Sequence, residues 1–179
     1  MEVFMDIFFE QIIKKKKTLT DLAALAVIYL GGLAIGALIF FLIIKYMPNF
    51  FLFGIMLAVL VFYGAIKLGT FFNIEYEYSV TNGAFDIDKI INKSSRKHLI
   101  STTVDSFETF SRYDEKKLSG KTFDQKIFAV ADEQGELYCA TLRHPKMGRV
   151  LVVFQPDERI LEMVVNFLTY QVKLDYKRG

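Results

Sequence analysis

Two long stretches of the chain carry no charge, and beyond them the spacing of apolar residues changes period. Residues 22–44, LAALAVIYLGGLAIGALIFFLII, are 23 positions without charge, amide or proline. At about 1.5 Å per helical residue they reach roughly 34 Å, enough to cross a hydrocarbon core of about 30 Å with some tilt. A core helix of a soluble protein does not need an apolar surface all the way round. A cleavable signal peptide has a shorter apolar part and ends at a small-residue site. Here the run ends in Phe40-Phe41-Leu42-Ile43-Ile44-Lys45. Residues 50–66 are 17 further uncharged positions, extended by Tyr46 and Met47 at one end and by residues 68–72 at the other. Lys67 can snorkel to the interface. Only Lys45-Tyr46-Met47-Pro48-Asn49 separates the runs, and Pro48 disfavours a helical Met47. The pattern predicts a transmembrane α-hairpin over residues 22–69.

Before the hairpin, Met1, Phe4, Met5, Phe8 and Ile12 fall at helical spacing, with Glu2, Asp6 and Glu10 elsewhere on the wheel. This predicts an interfacial amphipathic helix within residues 1–21. Its lysine run, Lys14, Lys15, Lys16 and Lys17, would then sit among anionic headgroups as a membrane-surface anchor.

After the hairpin the period becomes two. Ile74, Tyr76, Tyr78 and Val80 alternate with polar residues, Asn82-Gly83 marks a tight hairpin turn, and Phe85 and Ile87 alternate on the return. Further strand-like runs cover residues 98–102, 106–113, 126–131, 136–143 and 148–155, separated by turn signals. Residues 157–173 revert to helical spacing, with Asp157 and Glu158 in the first turn and Lys173 near the end. This helix is expected to bury Ile160, Leu161, Val164, Val165 and Leu168. The prediction for residues 70–179 is seven strands in meander order capped by one helix, folding without the spans.

Charge sharpens this division. Residues 22–69 contain only Lys45 and Lys67, whereas residues 70–179 carry 16 basic and 16 acidic side chains. Mean hydropathy is +0.30. A single cysteine, Cys139, and a net charge of +2 exclude a disulfide-stapled secreted domain and a strongly basic nucleic-acid binder. The lysine run before the first span, set against the lone Lys45 between spans, predicts both termini in the cytoplasm of a multi-pass plasma-membrane protein.

Tyr76-x-Tyr78-x-Val80-Thr81-Asn82-Gly83-x-Phe85, with a hairpin of spans before it and a terminal helix after the strands, resembles the bacterial membrane-anchored pleckstrin-homology-like (PH-like) proteins. The chain is also similar to small two-span membrane proteins of clostridial-type bacteria. The resemblance implies a membrane α-hairpin plus an α+β, mostly β, domain: a PH-like seven-stranded β-barrel or sandwich capped by a C-terminal helix. It brings no activity with it. Eukaryotic relatives that grip phosphoinositides use basic residues around the first hairpin loop, and Thr81-Asn82-Gly83 has none.

Candidate chemistry is sparse. Cys139 and His144 lie five residues apart along one strand, about 17 Å, too far for a nucleophile and its base. Glu75/Glu77 and Asp86/Asp88 read as the wet face of a sheet. No phosphate-loop, dinucleotide, zincin or nucleophile-elbow motif occurs, and nothing calls for an enzyme, a metal or a cofactor. One acid-free stretch, residues 89–104, holds Lys89, Lys93, Arg96, Lys97 and His98. It is a candidate anionic-lipid contact, centred on an expected loop at residues 92–95. Gly32-x-x-x-Gly36 and Gly54-x-x-x-Ala58 suit close helix packing within the hairpin, with homo-oligomerisation as the alternative. The expectation is a non-catalytic cytoplasmic module, held at the lipid bilayer, that recognises a protein or peptide through a sheet edge or beside the terminal helix. The alternative is an anionic-lipid sensor using residues 89–98.

Overall fold

A computed structural model describes residues 8–132 and 135–178, which divide into two compact units. The first to be considered is residues 16–74. Thr18 starts helix α1 (Leu19–Tyr46): its hydroxyl accepts from the Asp21 N–H while the Asp21 carboxylate accepts from the Thr18 N–H, a reciprocal capping box. A short turn at Pro48–Phe50 leads into α2 (Phe51–Gly69). Both helices are long and apolar enough to cross a membrane, and only 11% of each apolar window is buried. Their large side chains face outward, as in Val27, Leu30 and Leu60. The short turn makes the helices run antiparallel, and small residues let their backbones close up. A Cβ on Gly32 would fall 2.5 Å from that of Ala65, and one on Gly36 would fall 3.2 Å from the Ala58 carbonyl oxygen.

The second unit joins residues 1–15 to residues 75–179. Among the described residues it contains two four-stranded sheets. The first runs β1 (Phe8–Lys14), β2 (Ile74–Thr81), β3 (Ala84–Ile91), β4 (Ser95–Thr103). The second is built from β5 (Phe107–Arg112), β6 (Gln125–Ala129), β7 (Tyr138–His144) and β8 (Gly148–Phe154), in the spatial order β5-β7-β8-β6. A single helical turn, α3 (Glu115–Leu118), connects β5 to β6. The chain ends in α4 (Glu158–Phe167) and α5 (Tyr170–Arg178).

The core lies between the two sheets. Phe154 of β8 touches Tyr78 and Phe85 of the first sheet and Phe110 of β5, at ring separations of 5.8, 5.0 and 6.2 Å. Ile160, Met163, Val164 and Leu168 close one end. Asn82 and Gly83 turn the first hairpin with positive φ at both positions, as a type I′ turn requires. Gly83 also stands where a Cβ would press on Phe167.

Three expectations are corrected. Residues 8–14 form a strand, not part of an amphipathic helix; residues 1–7 lie outside the described residues. FFEQII is short enough to satisfy either period, and antiparallel pairing with β2 decides it: Phe9 stands opposite Val80, and Ile13 opposite Tyr76. Gln11 then faces inward, donating to the Gln155 carbonyl and accepting from the Asp157 N–H at 2.8 Å. The strands do not form a seven-stranded meander or closed barrel. There are eight among the described residues, in open sheets, and β6 runs parallel to β8. The terminal helix is two helices. Leu168 takes an extended ψ of 145°, and the resulting bend carries Tyr176 to 5.2 Å from Phe110.

Candidate functional site

A concave part of the β-rich unit is built largely by consecutive chain. Asp114 starts α3 by accepting from the Lys116 N–H at 2.9 Å. Gly120, with φ +93°, then turns the chain back towards β6. This segment crosses the outer face of the second sheet, where Cys139, Leu151 and Val153 form a small buried cluster under Tyr113, Leu118 and Phe123. Covering is incomplete. A cavity of about 570 Å³ remains, floored by Tyr113, Phe123, Phe128 and Leu151 and rimmed by Lys116, Lys121 and Lys126. Glu115 is the single acidic lining residue. A second hollow, about 430 Å³, shares Tyr113, Glu115 and Phe128. All three rim lysines are exposed. Asp124, the nearest acid in sequence to Lys126, is committed to the Arg149 N–H at 2.7 Å.

β6 bounds this cavity and ends its sheet, so one of its backbone edges has no partner strand among the described residues. Phe128 lies on that strand and is 46% exposed. Its ring stands edge-on to Tyr113 at 6.2 Å. None of these residues was singled out by the sequence. Its one signal was the lysine-rich turn at residues 114–120, which reads like any solvated loop.

The acid-free stretch is a β-hairpin. Lys89 lies in β3, Asn92 and Lys93 form the turn with positive φ, and Arg96, Lys97 and His98 lie in β4. The expected loop narrows to residues 92–94. The basic side chains divide. Arg96 donates to Glu77 at 2.7 Å and lies 3.8 Å from Asp88, and His98 contacts Asp88 at 2.7 Å. Lys89 stands opposite Lys97 in register, an unfavourable pairing of like charges. Glu77 is buried, and its second carboxylate oxygen has no hydrogen-bond partner among the described residues. Burial pushes its pKa up, Glu10 and Asp88 add to the rise, and Arg96 opposes it.

Residues 5–174 match the family described as Bacterial PH-like domain (DUF6106). The chain belongs to this family. No curated protein and no solved structure matches it. The family match takes in β1, both long helices and the two sheets, so in this PH-like protein the N-terminal strand is part of the family's own pattern.

The remaining candidates of the PH-like chain fall in separate places. Gly54 packs against Phe40 and Ile43. Gly32, Gly36 and Ala58 also line an apolar groove of about 280 Å³ on the helical hairpin. Lys14 closes β1 opposite Glu75, and Lys15 to Lys17 lead to the Thr18 cap. Cys139 is buried in β7, 3.5 Å from the Ser111 hydroxyl, and burial raises its pKa. His144, at the other end of β7, accepts from the Lys146 N–H at 3.2 Å. No group of three metal-ligating side chains comes together among the described residues.

Proposed function

We propose that this protein is a membrane-anchored recognition module: a two-span hairpin in the plasma membrane, both termini cytoplasmic, presenting a non-catalytic PH-like domain to a protein or peptide partner. The observation that carries the binding role is the edge of β6, unpaired among the described residues, beside the aromatic, lysine-rimmed cavity. An open edge and a pocket for a side chain are the two parts of strand-addition recognition. PH-like domains are generally non-catalytic. The topology is supported by β1 pairing with β2, which returns the chain after the hairpin to the sheet it left. The lysine run at residues 14–17 favours the cytoplasm for that side.

A photoreactive phenylalanine analogue at position 128, activated in native membranes, should give a discrete adduct absent when the analogue replaces Phe71. Adducts of equal yield at both positions, or none, would reject the binding role. For topology, a membrane-impermeant thiol reagent on intact cells should label a cysteine at Asn49 and miss one at Ser119. Labelling at Ser119 would reverse the orientation.

A second reading, an anionic-lipid contact through Lys89, Lys93 and Lys97, is favoured by the facing Lys89–Lys97 pair, whose repulsion a phosphate would relieve. With the full chain in nanodiscs, a fluorophore at Ser94 should be shielded from an aqueous quencher in anionic lipid and exposed in neutral lipid. Equal quenching in both would remove this reading.

A further inference from the structure

We propose that the free edge of β6 and the cavity beside it receive an extended acidic segment of a partner protein, anchored by one aromatic or large aliphatic side chain. This rests on the recognition role above and names the chemistry of the partner.

Three features converge. First, β6 is bonded on one side only, in parallel register with β8, leaving the other backbone edge of Gln125–Ala129 unpaired among the described residues. Proteins normally protect such an edge with charge, bulges or cover. Lys126 alone would fit that purpose. Phe128, nearly half exposed on the same short strand, does the opposite. Second, the cavity falls in the range of about 300–1,000 Å³ usual for ligand pockets, and its floor is aromatic and aliphatic. Third, the rim is positive. Lys116, Lys121 and Lys126 form no ion pair among the described residues, and Glu115 alone opposes them in the lining. Such a rim favours carboxylates and repels basic segments.

The edges of β4 and β5 lack this combination. Along β4, Arg96 and His98 are already occupied by Glu77 and Asp88. On β5, Phe110 is covered by Tyr176 of α5. A bilayer surface has no backbone to pair with an edge, which favours a peptide over a lipid at β6.

The test uses the full chain in nanodiscs of neutral lipid. Three pools of fluorescent peptides, each about ten residues long, carry a central Phe among alternating Val. Their remaining positions are Asp/Glu, Lys/Arg or Ser/Thr. The acidic pool should bind at least about tenfold tighter than either other pool. Binding should slow amide hydrogen exchange at residues 125–129. Lys121→Glu combined with Lys126→Glu should remove the acidic preference, while Lys89→Glu combined with Lys97→Glu should keep it. Equal or tighter binding by the basic or uncharged pool would overturn the acidic assignment and leave the recognition role standing. Displacement of the peptide by inorganic phosphate would overturn it in favour of a small-anion site, and displacement by phosphatidylglycerol vesicles in favour of lipid. Binding without protection of residues 125–129 would overturn strand addition. If no pool binds, the proposal fails, and the adduct at position 128 then decides whether any partner docks there.

Discussion

The two basic regions of the β-rich unit hold similar side chains in opposite circumstances. Around Glu77 of β2, charges come from the other three strands of the sheet: Glu10 from β1, Asp88 from β3 and Arg96 from β4. The charges there largely satisfy one another. Around the β6 cavity, residues 113–128 supply almost everything, a single acid, Glu115, lines it, and the rim lysines form no ion pair among the described residues. A basic residue held by a buried carboxylate stabilises a fold, whereas one standing over an apolar hollow is free to act on something else. Counting lysines and arginines along the chain cannot separate these cases.

The largest effect should come from dismantling the first region at its distant end. Removing residues 1–14 strips β1 from the sheet and uncovers Tyr76, Tyr78 and Val80. Each such side chain contributes about 1.5–3 kcal/mol when buried, against a total stability of about 5–15. The truncated chain in detergent should lose its cooperative melt. An unchanged melt would mean that β1 is not part of the core and that residues 70–179 fold without it.

Next is Arg96→Ala, which leaves the buried Glu77 carboxylate without its hydrogen-bonded partner. Arg96 is 59% exposed, so solvent screens part of the loss. The expected destabilisation at neutral pH is about 2 kcal/mol by chemical denaturation. A change smaller than that of Lys121→Ala would erase the contrast between the regions.

The pH dependence of that loss sharpens it. Glu77 has its folded pKa raised, by burial first and by Glu10 and Asp88 after. The folded state therefore holds this proton more tightly than the unfolded state. Its stabilising contribution is complete below the ordinary glutamate value and declines as pH rises towards the raised one. In Arg96→Ala the rise is larger, because the opposing cation is gone. The deficit relative to wild type should be small near the ordinary carboxylate range and grow towards neutrality. A deficit independent of pH would mean that Arg96 acts by packing alone.

The smallest effects belong to the cavity rim. Lys116→Ala, Lys121→Ala and Lys126→Ala should each change stability by less than about 0.5 kcal/mol, the usual size for unpaired surface positions. A loss above about 1 kcal/mol from any of them would assign that lysine to the fold rather than to a partner.

Much of the architecture was legible because its signals are local. Uncharged runs of transmembrane length, the Asn82-Gly83 turn and the charge placement of α4 each act within a few residues. Seven strands were found close to their expected positions for the same reason. The site was less legible. Phe128 looks like an ordinary strand residue, and only the one-sided pairing of β6 leaves it beside an unfilled space.

By itself the sequence determined the apolar hairpin, the change of period that follows it and the helix-forming end of the chain, since these depend on spacing, turn stereochemistry and desolvation of single segments. The tertiary structure alone decided three matters. It made Phe8–Lys14 a strand, because so short a run of mixed apolar and polar residues takes its period from the neighbour it pairs with. It placed β6 parallel to β8 at an edge, because the crossing of connections is not written in any one of them. And it sorted the cations into paired and unpaired, because a charge finds its partner through space, across neighbouring strands whose register only the folded sheet fixes.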